Sequence, residues 1–359
     1  MKTAKIVLPL VLAALGACKE TKPPAEGTAT ATATAAASTQ APKKPDVGMF
    51  AALPANADSK DMGPAERLTL GKMLYFDKRL SKNHDVSCNS CHNLDTYGVD
   101  NKKTSEGHKK QLGGRNSPTV YNAALHFKQF WDGRAADVEE QATGPVMNPV
   151  EMAMPSEKRL VETLASIADY KALFEKAFPG EKEPISLKNA GRAIAAYERK
   201  LVTPSRFDRY LKGDEKALSD DEVKGLQAFV GAGCTACHSG AAVGGAMYQK
   251  LGLVKPWPET KDGGRFEVTK QEGDKMMFKV PGLRNIEKTA PYFHDGSVAT
   301  LEEAIKLMGK HQLGRDLSEA EVKSIATFLK TLTGEPPKEL IKAPELPKSG
   351  DKTPKPDPA

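Results

Sequence analysis

The sequence predicts a mainly α-helical protein made of two similar halves, with a minor β-hairpin. Three observations point there. A Cys-x-x-Cys-His motif occurs twice, the segments around it repeat, and helix-opening signals recur where strand signals are sparse. Length agrees: 359 residues, 39% hydrophobic and 27% charged, suffice for about two ordinary domains. That composition excludes a collagen, a disulfide knot and a wholly disordered chain. The formal charge of +6 is too small to argue for a nucleic-acid partner.

Lys2 and Lys5 precede an apolar run from Ile6 to Ala14, the pattern of a secretory signal. It closes on Leu15-Gly16-Ala17-Cys18, which is similar to a bacterial lipoprotein signal, so residues 1–17 are expected to be removed and Cys18 acylated. A chain beginning at Cys18 loses two lysines and its charge falls to +4. No later apolar run is long enough to span a bilayer, so membrane attachment is expected through lipid alone. Residues 18–45, Thr-Ala alternation ending in Pro42-Lys43-Lys44-Pro45, cannot form a core and are expected to be a flexible tether. The first half is expected over 46–203 and the second over 204–334, parting near Thr203-Pro204 and Gly213-Asp214. Residues 335–359, rich in Pro and Lys, are expected to run over the surface or to lack order.

Apart from Cys18 the cysteines are Cys88, Cys91, Cys234 and Cys237, each pair followed at once by a histidine, His92 or His238. This is the c-type haem attachment spacing. Two thiols three residues apart reach the two vinyl groups of one porphyrin, and the adjacent histidine is carried beneath the iron. A zinc site would need the two pairs to converge and leaves both histidines unexplained; redox dithiols also leave the histidines without purpose. Two covalent haem c groups are therefore expected, one on each of two cytochrome c-like domains arising from a duplication. The repeat matches Gly71–Phe76 with Gly225–Val230, Arg115-Asn116 with Arg284-Asn285, and Phe130–Gly133 with Phe293–Gly296. Acidic residues then open a helix in each half, at Val138–Glu140 and Leu301–Glu303.

Capping-box spacings predict helices after Ser219, Thr300 and Ser318. Leu187, Ala190, Ile194 and Tyr197 predict another over 186–200. Arg265–Lys270 and Lys275–Val280, flanking Gln271–Asp274, predict the hairpin.

Second axial ligands separate electron transfer from catalysis, because histidine plus methionine saturates an iron and an open site binds a small oxidant. Met308, late in the helix opening at Thr300, is the expected ligand in the second half; Met247, Met276 and Met277 are rivals, two of them in the expected hairpin where methionine fills gaps. The corresponding position in the first half is Pro145, which cannot ligate iron. Met147 and His108 remain as candidates there, His108 on a polar loop with Gly107 before it and Lys109-Lys110 after it, which reads as mobile and solvated. His84 reads as a loop residue, His126 as a core residue and His311 as solvent-facing.

Across almost all of 46–334 the chain resembles the bacterial dihaem cytochrome c peroxidases. The motifs are Ser87–Asn93, Arg115–Thr119, Gln129–Arg134, Glu151-Met152, Pro291–His294 and Leu307–Gly309. The resemblance implies a peroxidatic N-terminal haem ligated by His92 and His108, and an electron-transfer C-terminal haem ligated by His238 and Met308. It implies Glu151 as the acid–base residue, Gln141 as its active-site companion, and Trp131 between the haems. It also implies a calcium ion at Asn116 with backbone oxygens of Thr289 and Pro291, a homodimer, and a periplasmic location. Hydrogen peroxide is the implied substrate, and a small c-type cytochrome or cupredoxin the implied electron donor. A dihaem electron carrier is the alternative from another class. A related branch that oxidises protein tryptophans carries tyrosine where this chain has Met308.

Overall fold

The computed structural model describes residues 45–57 and 61–359. The signal segment, Cys18 and nearly all of the expected tether lie outside them. Among the described residues no helix is long and apolar enough to cross a membrane. Secondary structure there is mostly helical, with one small antiparallel sheet. The helices are α1 (Ala65–Phe76), α2 (Cys88–Cys91), α3 (Val138–Met147), α4 (Glu157–Ala165), α5 (Ala168–Ala177), α6 (Leu187–Glu198), α7 (Arg206–Leu211), α8 (Asp220–Ala232), α9 (Phe266–Thr269), α10 (Leu301–Gln312), α11 (Glu319–Lys330) and α12 (Lys338–Ile341).

Local signals account for the starts of several helices. Ser219–Glu222 and Ser318–Glu321 form reciprocal capping boxes, and Thr300 accepts from the Glu303 backbone N–H. Ser186 caps α6, whose apolar face joins α1, α3, α4 and α5 in one core containing Leu70, Leu74, Leu160, Phe174, Ile194 and Tyr197. A second core gathers α7, α8, α10 and α11 around Phe207, Leu226, Phe229, Ile325 and Phe328. Phe50, early in the chain, belongs to this second core and meets Phe207 edge-on, with centroids 5.3 Å apart.

The two cores share a device. A Cβ on Gly71 of α1 would overlap the Ala193 carbonyl oxygen of α6, and a Cβ on Gly225 of α8 would overlap the Ser324 carbonyl oxygen of α11. Only a glycine lets each helix pair approach this closely. Gly71→Ala is expected to lower stability by about 1–3 kcal/mol through overpacking; denaturant unfolding of the haem-loaded protein checks this.

Three sequence expectations are corrected. First, Phe266–Thr269 is helical, so it cannot supply the hairpin strand. The sheet instead pairs β1 (Tyr248–Lys250) with β2 (Met277–Lys279), in register Tyr248↔Lys279 and Lys250↔Met277. Propensity marked β2 correctly and its neighbour wrongly, because strand partners are chosen by tertiary contact.

Second, the local geometry of Asn285 recurs at Asn122, not at Asn116. Asn122 and Asn285 both sit in the left-handed region, at φ 61° and 62°, and each opens a 3-10 turn. Their side-chain amides donate to the same Thr203 hydroxyl, at 2.8 and 2.9 Å. Phe130 and Phe293 also share positive φ, as do Gly133 and Gly296.

Third, His311 is buried against Trp257, its Nδ1 3.0 Å from the Lys255 carbonyl oxygen. The Pro/Lys-rich end runs over the surface alongside the first core. Leu340 and Ile341 pack on it, and Tyr197 donates its hydroxyl to the Leu340 carbonyl oxygen at 2.7 Å.

Candidate functional site

Ser87 opens the single turn of α2 with a capping box to Ser90, so Cys88 and Cys91 leave the same turn. The His92 backbone N–H returns to the Cys88 carbonyl oxygen at 2.9 Å. His92 Nδ1 lies 2.9 Å from the Pro118 carbonyl oxygen, a contact that needs its proton on Nδ1 and leaves Nε2 with a lone pair. Burial lowers the pKa of this imidazole and holds it neutral, as a ligand must be. Burial also pushes the Cys88 and Cys91 thiols up, against a reactive or metal-binding thiolate. Among the described residues no group of three or more His, Cys, Asp or Glu is placed to hold a metal ion.

A cavity of about 410 Å³ opens in front of this motif. Cys88, Cys91, His92, Trp131, Gln141 and Glu151 all line it. Gln141 and Pro145 face it one turn apart on α3. That helix ends at Met147, and the turn after it carries Glu151, whose N–H donates to the Asn148 carbonyl oxygen at 3.0 Å. Burial raises the Glu151 carboxyl above the ordinary glutamate range; the charge of Arg134 and a hydrogen bond from Asn148 pull the other way. Arg134 is itself steadied by Asp132 at 3.0 Å and by the Phe130 ring, 3.4 Å from its guanidinium carbon.

His108 stands apart. Ser105 and Gly107 of its loop line the cavity, but its own side chain does not. Its backbone N–H donates to the Glu151 carbonyl oxygen at 2.7 Å, and its ring is buried, 5% exposed. Lys109 and Lys110 are exposed as expected, whereas the His108 imidazole is not solvated.

The second motif follows α8 through Gly233, whose φ of 92° suits the residue that ends a helix. His238 Nδ1 lies 3.3 Å from the Val243 carbonyl oxygen, and burial pushes this imidazole down to about 4. Met308 is half-buried in the last turns of α10, while Met276 packs with Trp257 and Phe278.

Trp131 lines the first cavity and reaches residues of the second half. Its Nε1 donates to the Asn116 carbonyl oxygen at 2.9 Å, and its ring meets that of His294 edge-on, with centroids 6.5 Å apart. Asn116 donates its N–H to the His294 carbonyl oxygen at 2.8 Å, which sets it beside the loop holding Thr289 and Pro291. Its side-chain amide donates to the Lys102 carbonyl oxygen at 3.0 Å.

A family model described as "Di-haem cytochrome c peroxidase" matches residues 65–216. The chain is 48% identical over 325 residues to the cytochrome c551 peroxidase of Nitrosomonas europaea, covering 90% of this chain and 93% of that one. It belongs to the di-haem cytochrome c peroxidase family. The cytochrome c551 peroxidase of Pseudomonas aeruginosa is 51% identical over 294 residues, 80% of this chain and 84% of that one. The crystal structure of a MauG-like protein associated with microbial copper homeostasis superposes with a TM-score of 0.70 at 30% identity, covering 81% of this chain and 95% of that one.

The residues of this di-haem peroxidase fit the two haem groups its family implies. His294 is 2% exposed, and neither ring nitrogen has a hydrogen-bond partner among the described residues. Buried polar atoms left so are costly unless a further group meets them, and haem carboxylates would. Sequence reasoning missed Glu198. It lines the first cavity from the end of α6, and burial pushes its carboxyl up to about 8. Its neighbours Arg199 and Lys200 give it the local charge pattern of a solvated helix end, which carries no signal of a cavity wall. The Pro118 carbonyl that orients His92 carried no signal at all, since any residue supplies that atom.

Proposed function

We propose that this peroxidase reduces hydrogen peroxide to water, taking electrons one at a time from a small c-type cytochrome or cupredoxin. The observation that carries the reading is a buried carboxyl, Glu151, sharing one cavity with the first Cys-x-x-Cys-His motif. When bound, the two haem c groups supply the iron site for peroxide and the stored electrons. Cys88 and Cys91 would tether the first group and Cys234 and Cys237 the second; His92 would hold the first iron, and His238 with Met308 the second. Glu151 takes a proton from the inner peroxide oxygen and delivers it to the outer one, as base and then acid. Gln141 donates a hydrogen bond that orients peroxide. Trp131, bridged to His294, is the electronic path between the groups. His108 would be the displaceable ligand of the first group, able to hold it or to leave its site open to peroxide.

The remaining parts follow the same reading. The paired turns at Asn122 and Asn285 support a duplicated haem domain, with halves at 46–203 and 204–334. Asn116, its amide nitrogen committed to Lys102, offers its side-chain oxygen with the Thr289 and Pro291 carbonyls as a hard-oxygen site for calcium. Cys18 anchors the chain by lipid to a membrane facing the periplasm, where it works as a homodimer.

The test is peroxide turnover by the haem-loaded protein, fully oxidised and after one-electron reduction, with reduced cytochrome c as donor. Turnover only after half-reduction is expected. Turnover in both states keeps the peroxidase and removes the His108 gate. No turnover, with both irons six-coordinate and low-spin throughout, assigns the protein to electron transfer.

A further inference from the structure

A ligand that leaves an iron must be held somewhere else, and the structure shows where His108 rests. Its Nε2 lies 3.4 Å from the Ala359 carbonyl oxygen, and its Nδ1 has no partner among the described residues. The chain that brings Ala359 there is held along its length. Arg79 donates to the Ser349 hydroxyl at 3.0 Å, and Thr353, buried, meets the Ser166 hydroxyl at 2.8 Å. Asp357 donates its N–H to the Lys82 carbonyl oxygen at 3.0 Å. The Lys82 ammonium in turn donates to the Ala359 carbonyl oxygen at 2.7 Å and pairs with Asp357 at 3.5 Å.

Lys82 also ties this segment to the cavity. Its backbone N–H donates to the Met152 carbonyl oxygen at 2.9 Å, next to the Glu151 carbonyl that accepts from His108. The His108 backbone is thus fixed to the turn carrying Glu151, and Gly107 has no room for a Cβ against that same turn. With the backbone pinned, the ring has two destinations: the cavity or the recess closed by Lys82 and residues 349–359.

We propose that residues 349–359, clamped by Lys82, form a dock that holds the His108 imidazole outside the first haem pocket and so favours the peroxide-accessible state. This rests on the reading of His108 as the displaceable ligand. The single long contact to Nε2 suits a reversible dock, since it holds the ring weakly enough to release it. Losing one such interaction shifts a two-state equilibrium about 2- to 10-fold.

The test compares the full chain, Lys82→Met and a chain lacking residues 351–359, all haem-loaded and half-reduced. Electron paramagnetic resonance and visible spectra give the ratio of high-spin (open) to low-spin (histidine-bound) first haem. Both variants are expected to lower that ratio about 2- to 10-fold and to slow activation, and adding His108→Gly restores the open state. Lys82→Met keeps the chain intact should the shortened protein fail to fold. An unchanged ratio in Lys82→Met overturns the dock. If His108→Gly in the full chain leaves the spin state of the oxidised first haem unaltered, the assignment of His108 as ligand is what fails.

Discussion

Glu151→Gln is expected to keep both haems and lose peroxide turnover by ~10²-fold or more, because glutamine accepts no proton from the bound peroxide. The pH dependence has a definite sign. Glu151 must be ionised to act as base, so activity falls as pH drops through its pKa. Burial raises that pKa, which places the acidic limb of kcat/KM above the ordinary glutamate value of about 4.3. The Arg134 charge favours the ionised form, so Arg134→Leu should move the limb to still higher pH. Steady-state rates across pH for the three proteins settle both points. Wild-type turnover in Glu151→Gln would remove this residue from the mechanism.

Asp208→Ala is expected to cost about 3–5 kcal/mol of stability, because it strands a buried guanidinium. Asp208 and Arg284 pair at 2.8 Å with side chains only 3% and 2% exposed. The same carboxylate accepts the Leu53 N–H at 2.7 Å and the Ser205 N–H at 2.7 Å, so its loss also frees two backbone donors. It therefore joins the early chain at Leu53, the start of α7 and the segment before Asn285 in one buried knot. Replacing both partners by apolar residues should recover much of the loss, since no isolated charge then remains. By contrast, breaking the exposed Lys158–Glu162 pair, 4.0 Å apart, should change stability by about 0.5 kcal/mol or less. Denaturant titrations of the three variants test the ordering, and a loss below about 1 kcal/mol in Asp208→Ala would contradict it.

Much of the candidate site was legible because its chemistry is local in sequence. The spacing of Cys88, Cys91 and His92 lies within one helical turn, and the same holds for Cys234, Cys237 and His238. The capping boxes at Ser219 and Ser318 were legible for the same reason: donor and acceptor are three residues apart. Glu151 and Gln141 were reached through family resemblance, not spacing, because nothing in their neighbours tells a cavity wall from a helix surface.

The short-range commitments are written in the residues themselves: the two attachment motifs, the helix starts, and the contrast between Pro145 and Met308. Packing of the whole chain set the pairing of β2 with Tyr248–Lys250, the burial of His311, the shared use of Thr203 by Asn122 and Asn285, and the contact of His108 with Ala359. Each of these closes a contact across many residues. Such contacts depend on which surfaces the packed cores bring together, whereas caps and attachment motifs depend only on the geometry of a single turn.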